Sequence, residues 1–237
     1  MNGFLPYVLL VMLPSIAITG WAAFRVRSTY ARWAGVDSGI NLPPFEFARK
    51  LLDAQGLTDI GIEPIAGRLT DQYDPRAKVM RISSTVADPR LLGVADAPRL
   101  SVASAAVIAH EVGHALQDRQ RDPLMTARLA IVPAVQFGSG LGPWLILGGL
   151  WTHLTGMAVI GLVAFGAAVF FTFLTLPVEI GASGKALAFV SNVGLSGDRL
   201  VGARQVLKAA AWTYVAAALS ALLTFLYYLM LIMGRRD

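Results

Sequence analysis

Two of the three histidines in this chain stand in His110-Glu111-Val112-Gly113-His114. On a helix, positions i and i+4 differ by about 40° in azimuth and one turn in height, so both imidazoles project toward one point. That arrangement suits two ligands of a tetrahedral zinc. Glu111 lies about 100° round from His110, poorly placed as a ligand but within reach of a water activated by the metal, where it serves as general base. Shuffling a chain of this composition yields His-Glu-x-x-His roughly once in a thousand trials. The competing reading is a packed helix with two unrelated polar residues. Its flanks argue against that: Val102, Ala105, Ala106, Ala109, Val112 and Gly113 are small or apolar, which predicts a buried helix. A charged Glu111 there is costly unless something compensates it, and a metal does.

A catalytic zinc needs a third protein ligand and an open position. The chain has no cysteine, so histidine or carboxylate must supply it. His153 falls in a turn expected on the far face of the membrane. Asp118 and Asp122 lie one to two turns beyond His114 on the same helix, far along for a shared ion. Glu179 follows Leu176-Pro177-Val178, at the end of an apolar run expected to return antiparallel to the run that starts just after the metal helix. That topology brings Glu179 to the level of the two histidines. The alternative for Glu179 is a carboxylate at a helix start after Pro177, facing the helix dipole.

The elements that must position these groups follow from hydropathy. Hydrophobic residues make up 55% of the 237, charged residues 15%, and the mean hydropathy is +0.59, which excludes both an ordinary soluble globule and a disordered chain. Phe4–Phe24 is a 21-residue uncharged run, Leu129–Val178 contains 50 residues without Asp, Glu, Lys or Arg, and Ala209–Gly234 is uncharged over 26. About 20 residues cross the hydrocarbon core, so four spans are expected, the middle two joined by a tight turn near Trp151-Thr152-His153. Positive charge follows the first run at Arg25, Arg27 and Arg32 and does not precede it, which reads as a retained span with its N-terminus outside. Pro133, Gly138, Gly140, Gly142 and Pro143 are expected to break up the second span, and Pro177 to end the third.

Between spans one and two lies the polar part. Phe45, Phe47, Ala48, Leu51 and Leu52 have helical spacing, closed by Gly56. Gly61–Ile65, Arg68–Tyr73 and Lys78–Ser83 read as strands, with Asp74-Pro75-Arg76-Ala77 as a turn. Asp88–Pro98 reads as loop, and Ser101 caps a helix running to about Gln120. If the edge of Lys78–Ser83 is free, it offers strand addition to an extended substrate. The expected organisation is an N-terminal span and extension (1–33), a small α+β unit with the metal helix (34–128), a transmembrane hairpin (129–177), a helical segment carrying Glu179 (178–208) and a C-terminal span (209–237). The fold class is thus a mainly α integral membrane protein with about four transmembrane helices.

The net charge is +5, but the basic residues form no patch interleaved with aromatics, so nucleic acid is not an expected partner. Residues 25–128 hold 14 basic residues and 177–208 hold 4, against Arg235 and Arg236 on the other side. The positive-inside bias makes the basic, motif-bearing side cytoplasmic.

Several stretches resemble one known family. Leu69-Thr70-Asp71-Gln72-Tyr73-Asp74-Pro75-Arg76, Ala109-His110-Glu111-Val112-Gly113-His114-Ala115-Leu116-Gln117, Leu174-Thr175-Leu176-Pro177-Val178-Glu179 with Ala182-Ser183, and Ala209 to Leu219 are similar to the YugP family of zinc-dependent membrane metallopeptidases. The resemblance runs over nearly the whole chain and keeps the order of elements. It implies a bacterial inner or plasma membrane protein, a zincin-like α+β domain and a gluzincin-like site with one zinc per chain on His110, His114 and Glu179, with Glu111 as base. Glu179-x-x-Ala182-Ser183 is also similar to the second motif of HtpX-type membrane zinc proteases. Gly181 and Gly184 depart from the pattern.

The expected function is a membrane-embedded zinc metalloendopeptidase, a hydrolase of the 3.4.24 class, with the lipid bilayer around its spans and unfolded or membrane-associated polypeptide as substrate. Tyr73, Arg76 and Tyr214 are candidates for stabilising the oxyanion or touching substrate. The alternatives are a zinc hydrolase of a non-peptide bond and an inactive membrane scaffold or chaperone-like subunit, though the latter has no need of Glu111. No residue pattern reports the oligomeric state.

Overall fold

The structure, a computed structural model, describes residues 4–94 and 96–234. A helical turn α1 (Phe4–Tyr7) and a π-helical turn Val8–Met12 lead into α2 (Leu13–Ala34), then α3 (Pro44–Ala54), strands β1 (Gly61–Ile65), β2 (Gln72–Asp74) and β3 (Val79–Ser83), and the short α4 (Ser84–Ala87). A 3-10 turn Pro89–Leu92 precedes α5 (Val102–Arg119), and three long helices follow: α6 (Pro123–Trp151), α7 (Thr155–Asn192) and α8 (Gly197–Met233). Four helical stretches are long and apolar enough to cross a membrane: Leu5–Ala34, α6, α7 and α8. The mainly helical class, the four apolar helices and a small sheet match the expectation from sequence.

Two local expectations are corrected. Helix α6 runs unbroken through Pro133 and Pro143, and α7 runs through Pro177. A proline removes one backbone bond and crowds the preceding turn. In an apolar helix, breaking the chain there exposes several more backbone groups with no water to satisfy them, so continuing is cheaper.

The chain divides into two units. One holds the described residues within Met1–Ala23, Pro123–Pro177 and Trp212–Asp237; the other holds Phe24–Asp122 and Val178–Ala211.

In the first unit, α6 and α7 form a hairpin packed through small residues. A β-carbon on Gly138 would collide with the Ala164 carbonyl oxygen and one on Gly149 with the Ala158 nitrogen, and one on Gly161 would stand 2.7 Å from the Gly142 carbonyl oxygen. The glycines read from sequence as helix breakers are instead the surface along which two backbones meet, as lipid-embedded helices require. Replacing Gly138 by Leu is expected to lower the unfolding midpoint of the detergent-solubilised protein by about 5 °C or more, read by a thermal melt.

The second unit is built on α5. Helix α3 lays Phe47, Ala48, Leu51 and Leu52 into the core, each 0–1% exposed, and each large side chain contributes about 1.5–3 kcal/mol on burial. It starts at Pro44, whose fixed φ suits a first helical position. Gly56 ends it at φ 71°, so that the Leu57 N–H reaches the Leu52 carbonyl and Leu57 turns inward. The sheet order is β1-β3-β2, with β1 parallel and β2 antiparallel to β3, and Tyr73 opposite Met80. Both edges of β3 are therefore occupied, and the strand-addition role expected for it is lost; the outer edges belong to β1 and β2. The strand expected over Arg68–Tyr73 is confined to Gln72–Asp74, because Gly67 (φ 122°) and Leu69 (φ 54°) take the chain out of the extended region. Asp74 shapes the turn into β3 by accepting the N–H groups of Arg76 and Ala77 at 3.0 and 3.1 Å. Part of the stretch expected as loop forms the 3-10 turn Pro89–Leu92, whose first turn is held by the Asp88 carboxylate accepting the Arg90 N–H. Ser101 caps α5 by accepting the Ser104 N–H at 2.9 Å.

Candidate metal centre

Helix α5 places His110 and His114 one turn apart, and their rings meet edge to face with centroids 4.7 Å apart. The segment of α7 beyond Pro177 brings Glu179 against them. Glu179 is 2% exposed, and its Oε2 lies 3.1 Å from His110 Nε2 and 3.3 Å from His114 Nε2. One ligand atom from each of the three residues lies within 4.8 Å of the others, and this is the one such histidine and carboxylate group among the described residues.

The helices come this close because position 113 lacks a side chain. A β-carbon there would stand 2.7 Å from the carbonyl oxygen of Ala182, so the α5 and α7 backbones touch beside the site. Gly181, a departure from the expected pattern, faces Gln117: a β-carbon on it would stand 3.0 Å from the Gln117 amide nitrogen.

Gln117 fixes the protonation of His114. Its Nε2 donates to the Val178 carbonyl at 2.9 Å, which turns its Oε1 toward His114 Nδ1 at 3.0 Å. An amide oxygen only accepts, so His114 Nδ1 carries the proton and, in the neutral ring, Nε2 presents a lone pair. That lone pair faces the Glu179 carboxylate. Either a proton or a cation must lie between them. His110 is oriented by a hydroxyl, its Nδ1 3.2 Å from Ser183 Oγ and its Nε2 toward Glu179. A tetrahedral zinc with bonds of about 2.0–2.1 Å places its ligands about 3.3–3.4 Å apart. The two separations to Glu179, 3.1 and 3.3 Å, lie close to that edge, and two imidazoles with a carboxylate are a donor set that zinc accepts. Outer partners of ligating imidazoles commonly carry 10–100-fold in metal affinity. Gln117→Leu is accordingly expected to weaken zinc binding about 10–100-fold, measured by competition with a chromogenic chelator.

Glu111 is buried beside the cluster and not in it. Its Oε2 accepts the backbone N–H of Tyr73 at 2.8 Å, from the outer edge of β2. Asp71 stands close by, its carboxyl bonded to the N–H and hydroxyl of Ser83 at 2.7 and 2.8 Å. Burial pushes Asp71 up to about 6; the Ser83 bonds pull it down and the charge of Glu111 adds to the rise.

The other candidates lie as follows. The Tyr73 phenol donates to Asp118 Oδ2 at 2.6 Å, while burial and that acceptor hold its pKa well above the usual tyrosine range. Asp118 also receives Lys78 Nζ, and neither Asp118 nor Asp122 joins the ligand group. Arg76 is exposed in the turn after β2. Tyr214 on α8 and His153, in the turn after α6, belong to the other unit. Gln117, Ser183 and Asp71 join the site without having been candidates from sequence. The first two carried a signal: Gln117 is i+3 from His114 and Ser183 is i+4 from Glu179, each on the helix face of its ligand.

Comparison with known proteins yields two findings. The family described as "Putative neutral zinc metallopeptidase" matches residues 8–233. The chain is 37% identical over 226 residues to a Bacillus subtilis (strain 168) protein named "Putative membrane protease YugP", covering 95% of this chain and 96% of that protein. No solved structure matches.

Proposed function

The chain belongs to the neutral zinc metallopeptidase family, and we propose that it is a membrane-embedded zinc endopeptidase that hydrolyses polypeptide. The observation that carries this reading is the convergence of two imidazole Nε2 atoms and a buried carboxylate, with the Glu111 carboxylate next to His110 on α5. His110, His114 and Glu179 would hold one zinc per chain. When bound, zinc supplies Lewis acidity toward water and toward a carbonyl oxygen.

The remaining steps belong to the side chains. Glu111 accepts a proton from the attacking water and returns it to the leaving amine nitrogen. The Tyr73 N–H keeps the Glu111 carboxylate in one orientation between those transfers. Gln117 and Ser183 keep the imidazoles directed at one point. Exclusion of bulk water by the buried α5 strengthens each of these interactions. The excess of basic residues over 25–128 and 177–208 supports a site on the cytoplasmic side.

The test is hydrolysis of quenched fluorescent casein by the purified full-length protein. Activity is expected to vanish with chelator and return with stoichiometric zinc. Metal that binds without casein or peptide hydrolysis would reject peptidase chemistry and favour a non-peptide substrate.

A further inference from the structure

One turn beyond His114 along α5, the second unit holds a pocket of about 320 Å³ that the reading above leaves unused. Its walls are charged: Lys78, Arg119 and Arg121 face Asp59 and Asp118, with the Tyr73 side chain on one side. Both carboxylates are already engaged. Asp118 accepts Lys78 Nζ and the Tyr73 hydroxyl, and Asp59 pairs with Arg119. Arg121 has no side-chain hydrogen bond or ion pair among the described residues, so the pocket keeps one uncompensated cation.

Arg121 is also placed where arginine is unfavourable. Its N–H bonds to the Asp118 carbonyl and the Asp122 N–H to the Gln117 carbonyl, closing α5 in a motif whose left-handed residue is usually glycine. Arg121 occupies that position at φ 51°. The side chain is present despite a backbone geometry that glycine adopts freely.

The pocket is connected to the metal centre through shared residues. Tyr73 gives its backbone N–H to Glu111 and its ring to the pocket wall, and Ala115, next to His114, also lines it. One helical turn is about 5.4 Å, and an extended peptide advances about 3.3 Å per residue. The pocket is therefore one to two residues from a peptide bond held at the metal. We propose that it is a specificity subsite that takes a carboxylate of the polypeptide substrate on Arg121. The carboxylate belongs to an acidic side chain next to the cleaved bond or to the chain's C-terminus. This rests on the peptidase reading.

The test uses the full-length protein and quenched fluorogenic peptides that are identical except for Glu or Gln at one position within two residues of the cleaved bond, or for a free or amidated C-terminus. The wild type is expected to favour the carboxylate form about three- to tenfold in kcat/KM, less at high salt. If Glu→Gln moves the rate, the ligand is a side chain; if amidation does, it is the C-terminus. Arg121→Gly removes the cation and relaxes the backbone, so it folds at least as well. It is expected to cleave the Gln, amidated peptide at the wild-type rate and to lose the preference. Retained preference in Arg121→Gly, or none in the wild type, overturns the subsite. Should no peptide or casein be cleaved at all, the peptidase reading falls on its own. Fluorescence anisotropy of the same peptides on Glu111→Gln, with and without Arg121→Gly, then decides the pocket by the same comparison.

Discussion

Glu111→Gln is expected to keep one zinc per chain and to hydrolyse casein about 10²–10⁴-fold more slowly than the wild type. Gln has the shape of Glu and retains a carbonyl oxygen for the Tyr73 N–H, so the contact at 2.8 Å between β2 and α5 survives. What is lost is a basic oxygen beside the cluster that can take a proton from water. The loss should appear in kcat with little change in KM, because the carboxylate acts in the transition state and not in substrate binding. Zinc content by mass spectrometry and a thermal melt separate this outcome from misfolding. A variant that retained more than a tenth of the activity would remove Glu111 from the mechanism.

The second large effect is expected at Glu179. In Glu179→Gln the carboxylate that faces both Nε2 atoms becomes a neutral amide, a poor zinc ligand of the same size. Zinc content should fall from one per chain to a small fraction of that, and activity should fall to the level seen with chelator. Glu179→Asp shortens the reach by one methylene and is expected to bind zinc weakly, restoring part of the activity at high zinc. His110 and His114 remain directed by Ser183 and Gln117 in both variants, so circular dichroism should be unchanged. Full zinc occupancy in Glu179→Gln would show that the buried carboxylate is not a ligand.

These residues were unequally legible. His110, Glu111 and His114 declare themselves because helical spacing alone puts them on one helix side by side. Glu179 is 65 residues away from His114 in sequence, and only the return of an apolar hairpin suggests that it comes near. Gln117 is a harder case, since its role depends on which way an amide is turned, and that is set by the Val178 carbonyl on another helix. The sheet was half legible. Its strands were placed within a few residues, but segments of three to five residues carry too little alternation to give pairing or order. That β3 lies in the middle follows from β1 returning parallel to it, a long-range pairing with no local signature. Pro177 misled for the opposite reason: its local preference is to end a helix, and the cost of ending one among apolar residues is not written at that position.

The bare backbone at position 113 has a consequence for how such a chain can diverge. Most surface positions can drift without disturbing the cluster of His110, His114 and Glu179. A single added methyl at 113 would wedge the two rods apart at the Ala182 carbonyl and carry the acid away from both imidazoles together. Any descendant that keeps this crossing must leave that spot unsubstituted, whatever else it changes.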